Sequence, residues 1–287
     1  KDNLSYTFAS SLKSAVELYF NGIVRNEKEE KRYRTQKARY DKKAAGGKTP
    51  DYEISEKNLV DLEAAEADRA VKVIVLTGAG RAFSAGGDIR YMKAHCDEPD
   101  FSKKSIAPLA GKLSEIVLYM KKMSKIIICA VAGAAAGGAA NLAFACDFIY
   151  AADNAKFLQA FVGIGLCPDT GGVYFLPRMV GSHRAFDMFV TGRPVSAKEA
   201  LEIGLVKEVT TKEELMPKVM AFAEKLTEGP LLAYGNMKKL MFASLYKGFE
   251  DYMKDEAVYL AQCSGSEDFK EGITAFLEKR KAEFKGK

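Results

Sequence analysis

The chain has 287 residues, 48% hydrophobic and 28% charged, which describes an ordinary globular protein with one substantial core and room for an appendage. Its five cysteines, Cys96, Cys129, Cys146, Cys167 and Cys263, are odd in number and contain no C-x-x-C pair. A structural zinc site and a disulfide scaffold are therefore not expected, and a reducing, cytoplasmic setting fits best. The net charge of +5 is uneven: residues 25–48 hold ten Lys or Arg against four Asp or Glu, a local +6 that leaves the rest near −1. Affinity for polyanions would be local, so nucleic acid is not an expected partner.

In chain order, Lys1-Asp2-Asn3 opens no signal peptide. Residues 4–20 place Leu4, Phe8, Leu12, Ala15 and Tyr19 on one helical face, with Asn3 or Ser5 as N-cap, and predict an amphipathic helix. Residues 21–56 are charge-dense and broken by Gly46-Gly47 and Pro50, and read as an inserted helix or mobile segment. A helical pattern resumes at Leu59. The β-branched run Val71 to Thr77 is then a buried strand that ends in Gly78-Ala79-Gly80.

A helix is expected over 107–121, a strand over 126–131, a helix over 138–145 and a strand over 148–151. That alternation implies parallel pairing through right-handed crossovers, an α/β layer architecture. The apolar run Ile126 to Ala145 has the length of a membrane span, yet nine of its twenty residues are alanine and three are glycine. It reads better as strand, glycine turn and helix, and no membrane association is expected. Helical segments follow near 171–180, 183–190, 197–202, 212–227, 231–246, 249–261 and 266–284, so the C-terminal third is helical. The division expected is a core over 1–210, carrying the insertion 21–56, and a helical oligomerisation region over 211–287.

Two glycine-rich turns each follow a buried strand: Ala82-Phe83-Ser84-Ala85-Gly86-Gly87-Asp88-Ile89, and Gly133 to Asn141, which runs into a helix. Such turns can point backbone N–H groups at a ligand. Neither has the lysine and hydroxyl of a phosphate loop, and neither contains G-x-G-x-x-G. Taken alone, each such turn is more often a packing device where helix meets sheet. The only histidines, His95 and His183, have no companion ligands for a metal, and no G-x-S-x-G marks a hydrolase nucleophile.

Together the two turns resemble the signature stretches of the crotonase (enoyl-CoA hydratase/isomerase) superfamily: A-F-S-A-G-G-D-I after V-I-V-L-T-G-A-G, then A-x-x-G-G-A-A-N-L-A-F-A-C-D. The likeness continues through F-L-Q-A-F-V-G-I-G-L-C-P-D-T-G-G and L-P-R-M-V-G to F-L-E-K-R-K-A-E-F. It implies a crotonase-like spiral of ββα repeats with a helical C-terminal region, and an acyl-CoA thioester as substrate. No cofactor is implied beyond coenzyme A carried on the substrate. Homotrimers or dimers of trimers are implied as well. Backbone N–H groups of Gly87 and Gly138 would form an oxyanion hole for the thioester oxygen, each donor worth about 10²–10³ in rate. Ala85, Asp88, Ile89, Arg90, Asn141 and Phe161 are the implied substrate-contacting positions, with Lys279 a phosphate contact. Family members usually carry a pair of strands and an N-R-P stretch ahead of this point, so those strands are expected before residue 1.

Hydratases of the superfamily use two glutamates, and the matching positions here are Asn141 and Phe161. Without them, activating a water lacks its usual means. Asp169, in G-L-C-P-D-T-G-G, matches the aspartate base of several isomerases, including the phenylacetate-pathway and dienoyl-CoA types. One carboxylate there could move a proton from C2 to C4 of an enoyl thioester. Asp169 also reads as a helix N-cap, and Asp88 and Asp147 as structural. Phe161 points to an apolar acyl group. Hydration, hydrolysis and a non-catalytic thioester-binding role are the competing readings.

Overall fold

The computed structural model describes residues 4–9, 15–21, 59, 61–78 and 82–287. The charged insertion 21–56 lies outside the described residues except for Asn21.

The N-terminal segment corrects the helical reading. Residues 4–20 do not form an amphipathic helix but two antiparallel strands, β1 (Leu4–Ala9) and β2 (Ala15–Asn21). Their register sets Leu4 opposite Phe20, Tyr6 opposite Leu18 and Phe8 opposite Val16. Ser5, Thr7 and Glu17 interleave these apolar residues at period two, so the same stretch supports a strand as readily as a helix. The strand wins because β2 pairs with β3 (Val73–Gly78), from Val16 opposite Gly78 to Asn21 opposite Val73. That pairing satisfies a row of β3 backbone groups which would otherwise be an open edge.

From β3 the sheet continues in parallel through β4 (Ile126–Val131), β6 (Phe148–Ala152) and β9 (Glu208–Thr210), in the order β1-β2-β3-β4-β6-β9. The central strands are buried on both faces, as their unbroken apolar runs require. Ile74, Leu76, Ile127 and Cys129 enter the main core, while Val73, Val75, Ile128 and Ala130 meet Leu215, Val219 and Ala223 of a covering helix. A small second sheet, β5 (Ala134–Ala136), β7 (Lys156–Leu158) and β8 (Pro194–Ser196), lies beside it. Its three-residue strands are too short for any periodicity to announce them.

Helices fill the rest: α1 (residues 61–67), α2 (Ile89–His95), α3 (Ala107–Lys122), α4 (Gly138–Phe144), α5 (Gly172–Val180), α6 (Ser182–Thr191), α7 (Ala197–Glu202), α8 (Lys212–Thr227), α9 (Leu231–Leu245), α10 (Phe249–Ser264) and α11 (Glu267–Glu278). A 3-10 turn spans Ala160–Ile164. The apolar stretch 126–145 is thus β4, β5 and α4, and among the described residues no helix is long and apolar enough to cross a membrane. The last helix stops six residues short of the expected 284. Lys279 adopts φ 58 and closes α11, and the tail returns to bond Asp268, whose carboxylate accepts Lys285 N at 2.6 Å and Gly286 N at 2.8 Å.

Candidate active site

The first glycine turn is stitched to the second. Ser84 N donates to Ala134 O at 2.9 Å and Ala136 N donates to Ser84 O at 3.0 Å, an isolated parallel bridge between Ser84 and Ala135. Gly86 follows at φ 91, where a Cβ would stand 3.1 Å from Ala136 O, so only glycine lets the two turns approach this closely. Gly87 comes next, then Asp88, whose Oδ1 accepts Arg90 N at 3.0 Å and caps α2. Ala85 and Arg90 are exposed and Ile89 is half-buried.

In the second turn Gly137 holds φ 58, ψ −133, a conformation closed to other residues. The Phe161 ring lies against it, 3.6 Å from where a Cβ would be. Gly138 opens α4, where the first N–H groups have no helical carbonyl to bond. A Cβ on Gly138 would sit 2.9 Å from Thr170 Oγ1 and 3.1 Å from Asp169 Oδ1. The chain thus lays the Asp169 carboxyl directly over the start of α4.

Asp169 is half-buried by surface exposure yet walled by protein, and its carboxyl is raised to about 7. Burial is the main cause, and the nearby Glu256 charge adds to it, while the Thr170 hydroxyl, donating to Oδ1 at 2.7 Å, opposes it. Glu256, on α10, is 6% exposed. Its Oε1 accepts Ser114 Oγ at 2.6 Å; its Oε2 accepts Gly171 N and Tyr252 OH, both at 2.9 Å. A carboxyl in this position can exchange a proton near neutral pH with anything held between it and the turns.

An "Enoyl-CoA hydratase/isomerase" family profile matches residues 52–287. The chain belongs to the enoyl-CoA hydratase/isomerase family. It is 34% identical over 234 residues to the trans-2-decenoyl-[acyl-carrier-protein] isomerase of Streptococcus mutans, spanning 82% of this chain and 88% of that protein. To the crotonyl-CoA hydratase of Syntrophomonas wolfei it is 38% identical over 218 residues, 76% of this chain and 82% of the other. To the 1,2-epoxyphenylacetyl-CoA isomerase of Escherichia coli it is 35% identical over 231 residues, 79% and 86%. An enoyl-CoA hydratase from Mycobacterium avium subsp. paratuberculosis superimposes with a TM-score of 0.72 at 29% identity, covering 81% of this chain and 87% of that one. With the family comes its fold, the crotonase spiral with a helical C-terminal region.

In this enoyl-CoA hydratase/isomerase enzyme Asn141 is a strut. It is 1% exposed; its Nδ2 donates to the Asp169 carbonyl at 2.7 Å and its Oδ1 accepts Gln159 Nε2 at 2.7 Å. Both ends of the amide are thus committed, the Nδ2 end to the backbone of the Asp169 loop and the Oδ1 end to Gln159. Phe161 joins a second apolar cluster with Met92, Ile106, Leu166, Leu260 and Phe269. An apolar cavity of ≈ 620 Å³ opens beside the loop that leads to Asp169, lined by Val162, Leu166, Pro168, Phe186 and Val190 among others. Lys279 is the exposed cap of α11 and makes no hydrogen bond or ion pair with Gly87, Gly138 or Asp169. Asp147 is structural: Oδ2 accepts Ile127 N at 2.8 Å and the buried Lys238 ammonium at 2.6 Å.

Sequence reasoning missed Glu256, Ser114, Tyr252 and Thr170. A signal for Glu256 did exist. It falls on the apolar stripe of α10 with Phe249, Tyr252, Met253 and Leu260, where a carboxylate is costly unless something holds it.

Proposed function

We propose that this enzyme moves the double bond of an enoyl thioester from the 3 to the 2 position, with Asp169 carrying the proton. The observation that carries the reading is the placement of Asp169 Oδ1, 3.1 Å from the Cβ position of Gly138. In the proposed step the Asp169 carboxylate takes a proton from C2, and the electron pair moves into the thioester as a dienolate. The N–H groups of Gly87 and Gly138 hold the new charge on oxygen. Asp169, now the acid, returns the same proton to C4 while the C2–C3 double bond forms. Atoms balance without water or cofactor. The substrate class is an acyl-CoA thioester with an apolar acyl group, a reading supported by the apolar Phe161 ring that lies against Gly137 in the second turn. The raised Asp169 carboxyl supports the reading, because a group near 7 both accepts and releases a proton readily.

The two isomerase relatives support this chemistry, while the crotonyl-CoA hydratase relative at 38% identity favours hydration as the second reading. Against it, Asn141 is hydrogen-bonded at both ends and Phe161 has no base to offer a water. A 3-enoyl-CoA and a 2-enoyl-CoA, followed separately by conjugated-thioester absorbance and product mass, decide between them. Isomerisation gives rising absorbance at constant mass from the 3-enoyl substrate, reduced about 10²–10⁴-fold in Asp169→Asn. A gain of one water from the 2-enoyl substrate would establish hydration instead. We also propose that the chain self-associates as a trimer or dimer of trimers, an assembly consistent with the exposed leucines and methionines of α9.

A further inference from the structure

The mechanism above uses Asp169 alone, yet the site buries two carboxyls, and their surroundings are unequal. Glu256 receives three hydrogen bonds, from the Ser114 hydroxyl on α3, the Tyr252 phenol on α10 and the Gly171 backbone. Among described side chains Asp169 receives one, from Thr170. Donors stabilise the ionised form of a carboxyl, so when two buried carboxyls compete for one proton the better-solvated one stays charged.

No compensating cation faces the pair among the described residues. From α10 it meets Tyr252, whose phenol burial drives upward. From its own loop it meets Thr170 and Cys167, whose thiol is pushed up to about 12 by burial and the adjoining Cys263, and so stays neutral. Helix α3 contributes Ser114, and α4 has no ionisable residue. The charged residue of α5, Arg178, is engaged by the carbonyls of Tyr174 and Leu245. One end of the Glu256 carboxylate also grips Gly171, two residues from Asp169, so it acts on the base both by charge and by tethering its loop.

We propose that Glu256 is the positioning residue of this site, the carboxylate that keeps its charge in preference to Asp169, holds the Asp169 loop and leaves the one exchangeable proton on Asp169. The proposal rests on Asp169 being the proton carrier of the isomerase reading, but its central claim is readable without turnover. Removing the Glu256 charge lowers the Asp169 pKa, because the ionised aspartate no longer faces a second negative charge.

The test is a ¹³C-carboxyl NMR titration of aspartate-labelled protein, with the Asp169 resonance assigned by its loss in Asp169→Asn, run beside the pH–rate profile on a 3-enoyl-CoA. In Glu256→Gln the Asp169 titration and the acid limb of the rate are expected to move about one pH unit or more towards acid. Glu256→Asp should keep the wild-type direction by retaining the charge. Tyr252→Phe, which preserves the ring and deletes one donor, should move the titration the same way by a smaller amount, since it weakens the hold of Glu256 on its charge. This variant also reads the coupling if Glu256→Gln does not fold. An Asp169 titration that stays fixed in folded Glu256→Gln, or in Tyr252→Phe where the first is unfolded, overturns the proposal while leaving isomerisation intact. A titration that moves as expected in a protein that turns over no 3-enoyl-CoA upholds the carboxylate pair and removes the isomerase reading.

Discussion

Thr170 stands at φ 54, in the left-handed region, which a β-branched residue enters at a cost on the order of 1–3 kcal/mol. It is fully buried, and its neighbour Gly171, at φ 73, shows that the chain uses glycine at once where only the turn matters. What threonine adds at 170 is the hydroxyl that donates to Asp169 Oδ1. That bond favours the ionised aspartate and opposes the upward push of burial and Glu256. Thr170→Val keeps the branch and the backbone cost and deletes the donor, so the Asp169 pKa should rise. The enzyme needs ionised Asp169, and activity is lost as pH falls through that pKa. The acid limb of the pH–rate profile should therefore move towards alkaline pH by about one unit, the worth of a hydrogen bond to a charged group. A limb that stays in place would reduce Thr170 to a loop-forming role.

The elements that matter most are the two glycine turns, because each faces the other across the Ser84–Ala135 bridge and the second one faces Asp169. Gly138→Ala inserts a methyl 2.9 Å from Thr170 Oγ1 and 3.1 Å from Asp169 Oδ1, closer than the loop can tolerate without moving. The expected result is a kcat lower by about 10²–10³ with melting little changed, since a turn shifted by a few tenths of an ångström misplaces a donor without opening the core. Single-turnover kinetics and a thermal melt check both halves. These turns were legible in the sequence because each is a contiguous run after a buried strand, and Asp169 was legible because its glycines and proline surround it within eight residues. Glu256 was not. Its partner Ser114 is 142 positions away, and only the fold shows that the stripe of α10 closes over the Asp169 loop. Residues 4–20 were misread because Leu4 and Phe8 satisfy both a helical and an alternating pattern, and the deciding fact, the free edge of β3, lies more than fifty residues downstream.

Across the whole molecule, the helices after residue 211 have two jobs. On their inner side α8 covers one face of the sheet through Leu215, Val219 and Ala223, and α10 and α11 supply Leu260, Phe269 and Ile273 to the cluster that contains Phe161. The expected separation of an oligomerisation region from a core at residue 210 therefore leaves out their inner side, which is part of the core. There α9 turns Leu232, Met237, Leu240, Met241 and Leu245 to solvent, with Leu232 80% and Leu240 69% exposed, an apolar surface that a lone subunit would keep wet at a cost of about 25 cal/mol per Å². Covering that face with a second copy removes the cost, so sedimentation of the intact chain should give trimers or hexamers. Leu240→Lys places a charge on the covered face without touching the buried residues of α9, Gly235 and Lys238, and should yield smaller species that keep the native circular dichroism. A wild-type chain that sediments as a monomer at micromolar concentration would show that no second copy covers α9, and turnover by that monomer would show that the active site is complete within one subunit.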